Sequence, residues 1–321
     1  QRRSFMMKFD KSNFKIIQNK DVNINTYIEG SGPLIIFIHG WPESWYSWRH
    51  QIKFFSSIGY TVASPDMRGY GGSSKPEEVS DYDVLKLSSD IIAIADYLGF
   101  DQFNIVGHDW GAPVAWHTSL YYENRIKKVC GMSVPHTVSQ MPPIETMKFL
   151  FKDIFFYMLY FQKIGLVEKE LELDMKKSLL AIYGSISSGE NKVETFEPVP
   201  FSKDMTFLKS LGEGHAFPYF MSQNDFDFYV TEFSSHGMRG PINWYRNIDR
   251  NWEITKDTHA KKISTPTCFI TGANDPVGKW APINKSLYEN LEGNHSINDC
   301  GHWVQQEKPE QVNEILLEFF K

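Results

Sequence analysis

Phe103-Asn104-Ile105-Val106-Gly107-His108-Asp109-Trp110-Gly111-Ala112 is the stretch whose reading decides the fold. Phe103 to Val106 reads as a buried apolar strand, and Ala112 to Tyr122 reads as a helix. Between them, glycines at 107 and 111 flank an acidic residue. This is the layout of a sharp strand-to-helix turn that thrusts its central side chain out of the sheet. The glycines permit the tight turn and the close approach of strand and helix. Where the tip of such a turn is serine, a base must activate it; Asp109 is already an anion at neutral pH. Carboxylate attack on an alkyl carbon yields an alkyl ester of the protein, which water can then hydrolyse. The aspartate therefore points away from ester and amide hydrolysis and toward epoxides or alkyl halides.

Outward from this turn, apolar strands alternate with helical patterns. Phe14–Ile17 and Val22–Glu29 are strand-like, and Leu34–Ile38 is a continuous apolar run ending in His39-Gly40-Trp41-Pro42. A helix is expected over Ser47–Ser57, a strand over Tyr60–Ala63, an amphipathic helix over Val84–Leu98 and a strand over Lys128–Val134. Such alternation implies an α/β fold with a mostly parallel, doubly wound sheet and right-handed crossovers. Reactive groups in these sheets sit at the carboxyl ends of strands. After Pro135 the alternation stops, and residues 140–255 read as helix and loop. It resumes with Thr267–Gly272, a weak strand near His295–Ile297 and a closing helix over Glu310–Phe320. The expected organisation is a core of residues 1–137 and 256–321 with a helical lid, 138–255, inserted into it.

Composition narrows the function classes. The 321 residues are 41% hydrophobic and 22% charged, as in ordinary globular proteins. A net charge of −6 and the lack of a Lys/Arg run argue against nucleic acid as a partner. The aromatic content of 15% suits an apolar pocket. Three widely spaced cysteines, Cys130, Cys268 and Cys300, suggest neither a disulfide framework nor a zinc site, and fit a reducing, cytoplasmic setting. The longest apolar candidate, Phe149 to Phe161, is interrupted by Lys152 and Asp153, so no membrane span is expected. No signal peptide is legible, and Met6 or Met7 is the expected natural start. No metal or cofactor is called for, and the chain is expected to be a monomer or homodimer.

An ester intermediate needs a second stage in which water is activated, the work of a histidine oriented by a carboxylate. Acid and base should follow the nucleophile in chain order. Asp275, in Thr271-Gly272-Ala273-Asn274-Asp275-Pro276, lies just past a core strand, and His302 lies in the loop before the closing helix. The resulting oxyanion requires preorganised N–H donors. The Trp110 amide is one, and the loop after Ile38 should supply the Trp41 amide as the other, with Trp41-Pro42 a candidate cis peptide. His39 reads as a structural hydrogen-bonding residue beneath the site rather than a second base. With Pro42 and Trp110, it is also counted on the substrate-binding side.

The segments 39–44 (His-Gly-Trp-Pro-Glu-Ser), 66–73 (Asp-Met-Arg-Gly-Tyr-Gly-Gly-Ser), 107–112 and 301–303 (Gly-His-Trp) together resemble the α/β-hydrolase epoxide hydrolases of the soluble type, without a phosphatase-like second domain. The resemblance runs from Phe14 to the C-terminus. It implies two lid tyrosines that hydrogen-bond the epoxide oxygen and protonate the alkoxide. Asn243-Trp244-Tyr245 matches one lid motif and selects Tyr245; Phe156-Tyr157-Met158-Leu159-Tyr160-Phe161-Gln162 matches the other and selects Tyr157, with Tyr160 second. The implied activity is hydrolysis of a small apolar epoxide by water to a vicinal diol. The alternatives are a haloalkane or haloacid dehalogenase built on the same Asp/His/Asp machinery, and a non-enzymatic small-molecule receptor.

Overall fold

The computed structural model describes residues 7–187 and 198–321; Met6 and residues 188–197 lie outside them. The strands are β1 (Phe14–Asn19), β2 (Val22–Gly30), β3 (Leu34–Ile38), β4 (Thr61–Pro65), β5 (Phe103–His108), β6 (Ile126–Met132), β7 (Thr267–Gly272) and β8 (Leu291–Ile297). They form one eight-stranded sheet in the order β1-β2-β4-β3-β5-β6-β7-β8. β2 pairs antiparallel with β1 and β4, and every later pair is parallel. β3, β4 and β5 are buried along their whole length, as central strands of a sheet covered on both faces must be, and β3 is a continuous apolar run.

The flanking helices start and stop where local chemistry directs. Val84–Leu98 is capped by the Asp83 carboxylate, which accepts from the Lys86 amide at 3.0 Å, and ends at Gly99 in the left-handed region. The expected helix over Ser47–Ser57 begins instead as a 3-10 turn, Trp45–Trp48, held by a Ser44 capping box, and becomes α-helical over Arg49–Ser57. β6 stops at Met132, two residues short of expectation, because Ser133 adopts φ 67° and leaves the sheet. β8 is longer than its sequence suggests. It is an edge strand with most side chains exposed, so it carries no apolar run.

β3 has β4 on one side and β5 on the other, so the crossovers diverge there and open a crevice beyond the carboxyl ends of β3 and β5. Trp41 follows β3 and Asp109 follows β5. Between β6 and β7 the described residues form a series of helices, from Pro143–Leu150 to Ile248–Ile254, that packs over this crevice. The contacts include the Trp244 indole donating to the Arg68 carbonyl at 3.0 Å and Tyr46 donating to Asp225 at 2.6 Å.

Glycine is obligatory at the turn for steric reasons. A Cβ on Gly107 would overlap the Gly111 carbonyl oxygen, and a Cβ on Gly111 would overlap the Ile38 carbonyl oxygen. Gly111→Ala is therefore expected to lower stability by about 1–3 kcal/mol or more, as overpacking against backbone does. Urea unfolding reads this directly; an unchanged midpoint would show that the turn relaxes freely.

Candidate active site

Asp109 sits at the tip of the turn with φ 53°, a left-handed conformation that costs a non-glycine residue on the order of 1–3 kcal/mol. The turn is held by the Asp109 amide donating to the Met132 carbonyl at 3.2 Å and the Ala112 amide to the Asp109 carbonyl at 3.0 Å. Gly40 lets the β3 loop come against it, since a Cβ there would overlap Asp109 Cβ. The Trp41 amide then donates to Asp109 Oδ1 at 2.9 Å, and the Trp41-Pro42 peptide that follows is cis. The other expected donor, the Trp110 amide, lies at the N-cap of the helix Gly111–Tyr121, one peptide beyond Asp109.

His302 completes the constellation. Its Nε2 lies 3.0 Å from Asp109 Oδ2 and its Nδ1 lies 3.0 Å from Asp275 Oδ2. Asp275 is fixed in turn by the Val277 amide, which donates to Oδ1 at 2.9 Å. The His302 backbone is gripped from both sides: its N–H donates to the Ile186 carbonyl at 2.9 Å, and its carbonyl accepts from His108 Nε2 at 2.7 Å.

Beneath lies a buried network whose role the sequence did not reveal. Glu43 accepts from the Gly40 amide at 3.0 Å and meets His108 Nδ1 at 2.8 Å and the Gln306 amide at 3.1 Å. The loop after β3, the turn after β5 and the segment after His302 thus share one polar centre. The only local signals were a glutamate three residues after Gly40 and a histidine beside the nucleophile.

The electrostatics follow from this packing. Burial favours the neutral form of Asp109, but the hydrogen bond and charge of His302 outweigh it and hold the carboxyl below its ordinary range. For His302, burial disfavours the cation, and the Asp275 charge, with Asp109 added, overcomes it and raises the imidazole well above 6.5. Both shifts favour the ion pair, an Asp109 carboxylate against an imidazolium at His302.

Tyr157 and Tyr245 form the wall facing this pair. Their rings lie 5.9 Å apart, edge to face, and the Trp110 ring packs 5.2 Å from Tyr245. Burial, with the nearby Asp109 charge adding to it, pushes both phenols far above their usual range, so both remain protonated donors. Tyr160 is turned elsewhere and donates to Glu170 at 2.9 Å, which resolves the choice between Tyr157 and Tyr160 for a place in the cavity. The cavity over Asp109 and His302 is otherwise walled by apolar side chains, among them Trp41, Ile182, Phe207 and Trp280.

Three expected substrate contacts need correction. His39 is fully buried; its Nε2 accepts from the Met67 amide at 3.0 Å and its Nδ1 faces the Gly40 carbonyl at 2.9 Å, so both nitrogens are spent on backbone and it supports the floor. Pro42 lies behind Trp41, where its carbonyl accepts from the Tyr183 hydroxyl. Trp110 stands behind Tyr245, its ring 5.2 Å from the phenol ring. None of the three lines the cavity.

Fold and site together define an α/β-hydrolase fold with an aspartate at the tip of the turn after β5. The family model described as the alpha/beta hydrolase fold matches residues 33–163. The chain is 39% identical over 295 residues to Epoxide hydrolase A of Mycobacterium tuberculosis, covering 91% of each. It is 35% identical to Bifunctional epoxide hydrolase 2 of Sus scrofa, of which it spans 52%. Among solved structures, Epoxide Hydrolase A from Mycobacterium thermoresistibile superposes with a TM-score of 0.90 at 36% identity, covering 95% of this chain and 97% of that one. An epoxide hydrolase from Vigna radiata gives 0.83 at 30%, covering 96% and 97%. The chain belongs to the epoxide hydrolases of the α/β-hydrolase fold.

The paired shifts set a pH signature. A raised histidine contributes stability that is fully present below its unfolded value of 6.5 and lost as pH rises through its folded value. A depressed Asp109 contributes stability present above 3.8 and lost as pH falls through its folded value. Stability is thus expected to decline from neutral to alkaline pH, and His302→Gln should flatten that decline in urea-unfolding series. Parallel slopes in the two proteins would contradict the assigned charge state.

Proposed function

We propose that this chain hydrolyses small apolar epoxides to vicinal diols through an ester on Asp109. One observation carries the reading: a single carboxylate is held by the Trp41 amide at Oδ1 and His302 Nε2 at Oδ2, opposite two protonated tyrosines.

The Asp109 carboxylate attacks an epoxide carbon as its C–O bond breaks. The departing oxygen takes a proton from Tyr157 or Tyr245, because an unprotonated alkoxide is a poor leaving group. The hydroxyalkyl ester has no charge, so His302 loses one of the two carboxylates that favoured its cation. It releases its proton to the tyrosinate, by way of solvent, and becomes a base. His302, oriented by Asp275, then takes a proton from water as the water attacks the ester carbon. The oxyanion forms at Oδ1, where the Trp41 and Trp110 amides receive it, a contribution on the order of 10²–10³-fold per donor. Collapse restores the Asp109 carboxylate and frees the diol.

Residues 138–255 serve as the lid, carrying both tyrosines and keeping bulk water from the ester. Among the described residues no helix is long and apolar enough to cross a membrane. The three cysteines are free and buried, which supports a reducing, cytoplasmic setting. Tyrosine hydroxyls, rather than indole or amide groups alone, face the nucleophile, which favours epoxides over the alkyl halides of a dehalogenase.

Asp109→Ala is expected to abolish diol formation from styrene oxide. Tyr157→Phe and Tyr245→Phe should each retain partial activity because one donor remains. The double variant should fall by roughly 10²–10⁴-fold, the usual weight of general acid catalysis. Diol formation persisting in Asp109→Ala, or a double tyrosine variant as active as the parent, would overturn the scheme.

A further inference from the structure

Cys130 and Cys268 stand directly opposite each other on the parallel strands β6 and β7. Side chains at opposed positions leave the sheet on the same face. Neighbouring strands lie about 4.8 Å apart, inside the ~4.4–6.8 Å range of Cα separations that a disulfide spans. Both thiols are free and shut off from the outer surface. The pair also has a particular place in the chain: β6 is the last strand before the inserted helices, and β7 is the first strand after them. A bond between the two sulfurs would close residues 131–267, the whole insertion, into one loop.

The two thiols differ in access. Cys268 borders a cavity of about 440 Å³ between the edge strand β8 and the closing helix Pro309–Phe320, and Cys130 is not part of its wall. A Cβ on Gly293 would sit 2.9 Å from His295 Nε2 and 3.0 Å from Cys268 Sγ, so glycine there leaves the sulfur uncovered on the cavity side. Glu292, Glu314 and Glu318 line the same cavity and disfavour the entry of an anion. Burial, and then the neighbouring Cys268 thiol, raise Cys130 well above the usual thiol range, so Cys130 is not the first nucleophile.

We propose that Cys130 and Cys268 form an oxidisable dithiol, which an uncharged hydroperoxide entering this cavity converts to a disulfide that staples β6 to β7 at the two roots of the insertion. The Cys268 sulfur attacks one peroxide oxygen as the O–O bond breaks, the other oxygen leaves as water with the thiol proton, and a sulfenic acid remains. The Cys130 sulfur then attacks the Cys268 sulfur, and the sulfenic oxygen leaves as water with the Cys130 proton. Two thiols are oxidised and one hydrogen peroxide is reduced to two waters.

The test treats the whole chain with hydrogen peroxide, alkylates the remaining thiols in denaturant and maps the peptides. The parent should lose the mass of two hydrogens, with the Cys130 and Cys268 peptides joined, Cys300 still alkylated and the change reversed by dithiothreitol. The bridged form should unfold at a higher urea midpoint than the reduced form, because the bridge restricts the unfolded chain. Cys268→Ser should leave Cys130 a free thiol at the same peroxide dose. Gly293→Ala and Gly293→Val, each checked for the parent's far-ultraviolet circular dichroism, should slow bridge formation, the valine at least tenfold. No bridge in the parent, a bridge to Cys300, an oxidised protein with no higher midpoint, or an undiminished rate in folded Gly293 variants overturns the proposal.

Discussion

The Asp109 carboxylate keeps only 14% of its side chain exposed, and burial alone would place a proton on it. The protonated His302 beside it, 3.0 Å away, reverses that preference, and the rest of the structure serves this ion pair. Asp275 holds the imidazole from behind, and the Trp41 amide takes the other carboxylate oxygen. The left-handed backbone at Asp109 places the side chain where these three converge. The steric demand for glycine at 40 and 111 follows from the same convergence, since each lies where the segments after β3 and β5 touch, while Gly107 lies where β5 meets the start of the following helix. The Glu43–His108 pair ties those segments to the His302 carbonyl, so Asp109 and His302 rest on one buried polar centre.

In the proposed scheme the pair also separates the two chemical stages. While Asp109 is charged, His302 is held as a cation and cannot remove a proton from water. Once Asp109 is esterified, that hold weakens and the imidazole becomes a base. The tyrosines answer the complementary need: burial beside a carboxylate keeps both phenols protonated, so they can donate when the epoxide oxygen develops charge. The apolar wall around them strengthens each of these interactions by excluding water.

Much of this architecture was legible in the order of residues. The buried strand β3 is a continuous apolar run, β5 is largely apolar, and Asp109 and Asp275 fall just past strand ends, where a doubly wound sheet exposes its reactive groups. Tyr157 and Tyr160 both fitted one motif, and only the Glu170 contact of Tyr160 separates them. β8 was faint because an edge strand needs no apolar face. The cavity wall was not legible: Phe207 and Trp280 belong to four-residue helices whose partners are set by tertiary packing rather than periodicity. His39 sits beneath the site as read, with both nitrogens used on backbone groups, and only its place on the substrate-binding side was not legible as wrong from sequence.

The central claim is that Asp109 carries the substrate as an ester which His302 must clear. The most direct measurement is the intact mass of His302→Gln after brief exposure to styrene oxide, followed by peptide mapping. The account predicts a gain of one substrate mass, carried on the peptide containing Asp109 and absent from His302→Gln combined with Asp109→Ala. A variant that shows no adduct while the parent turns over, or an adduct carried on another residue, would contradict it.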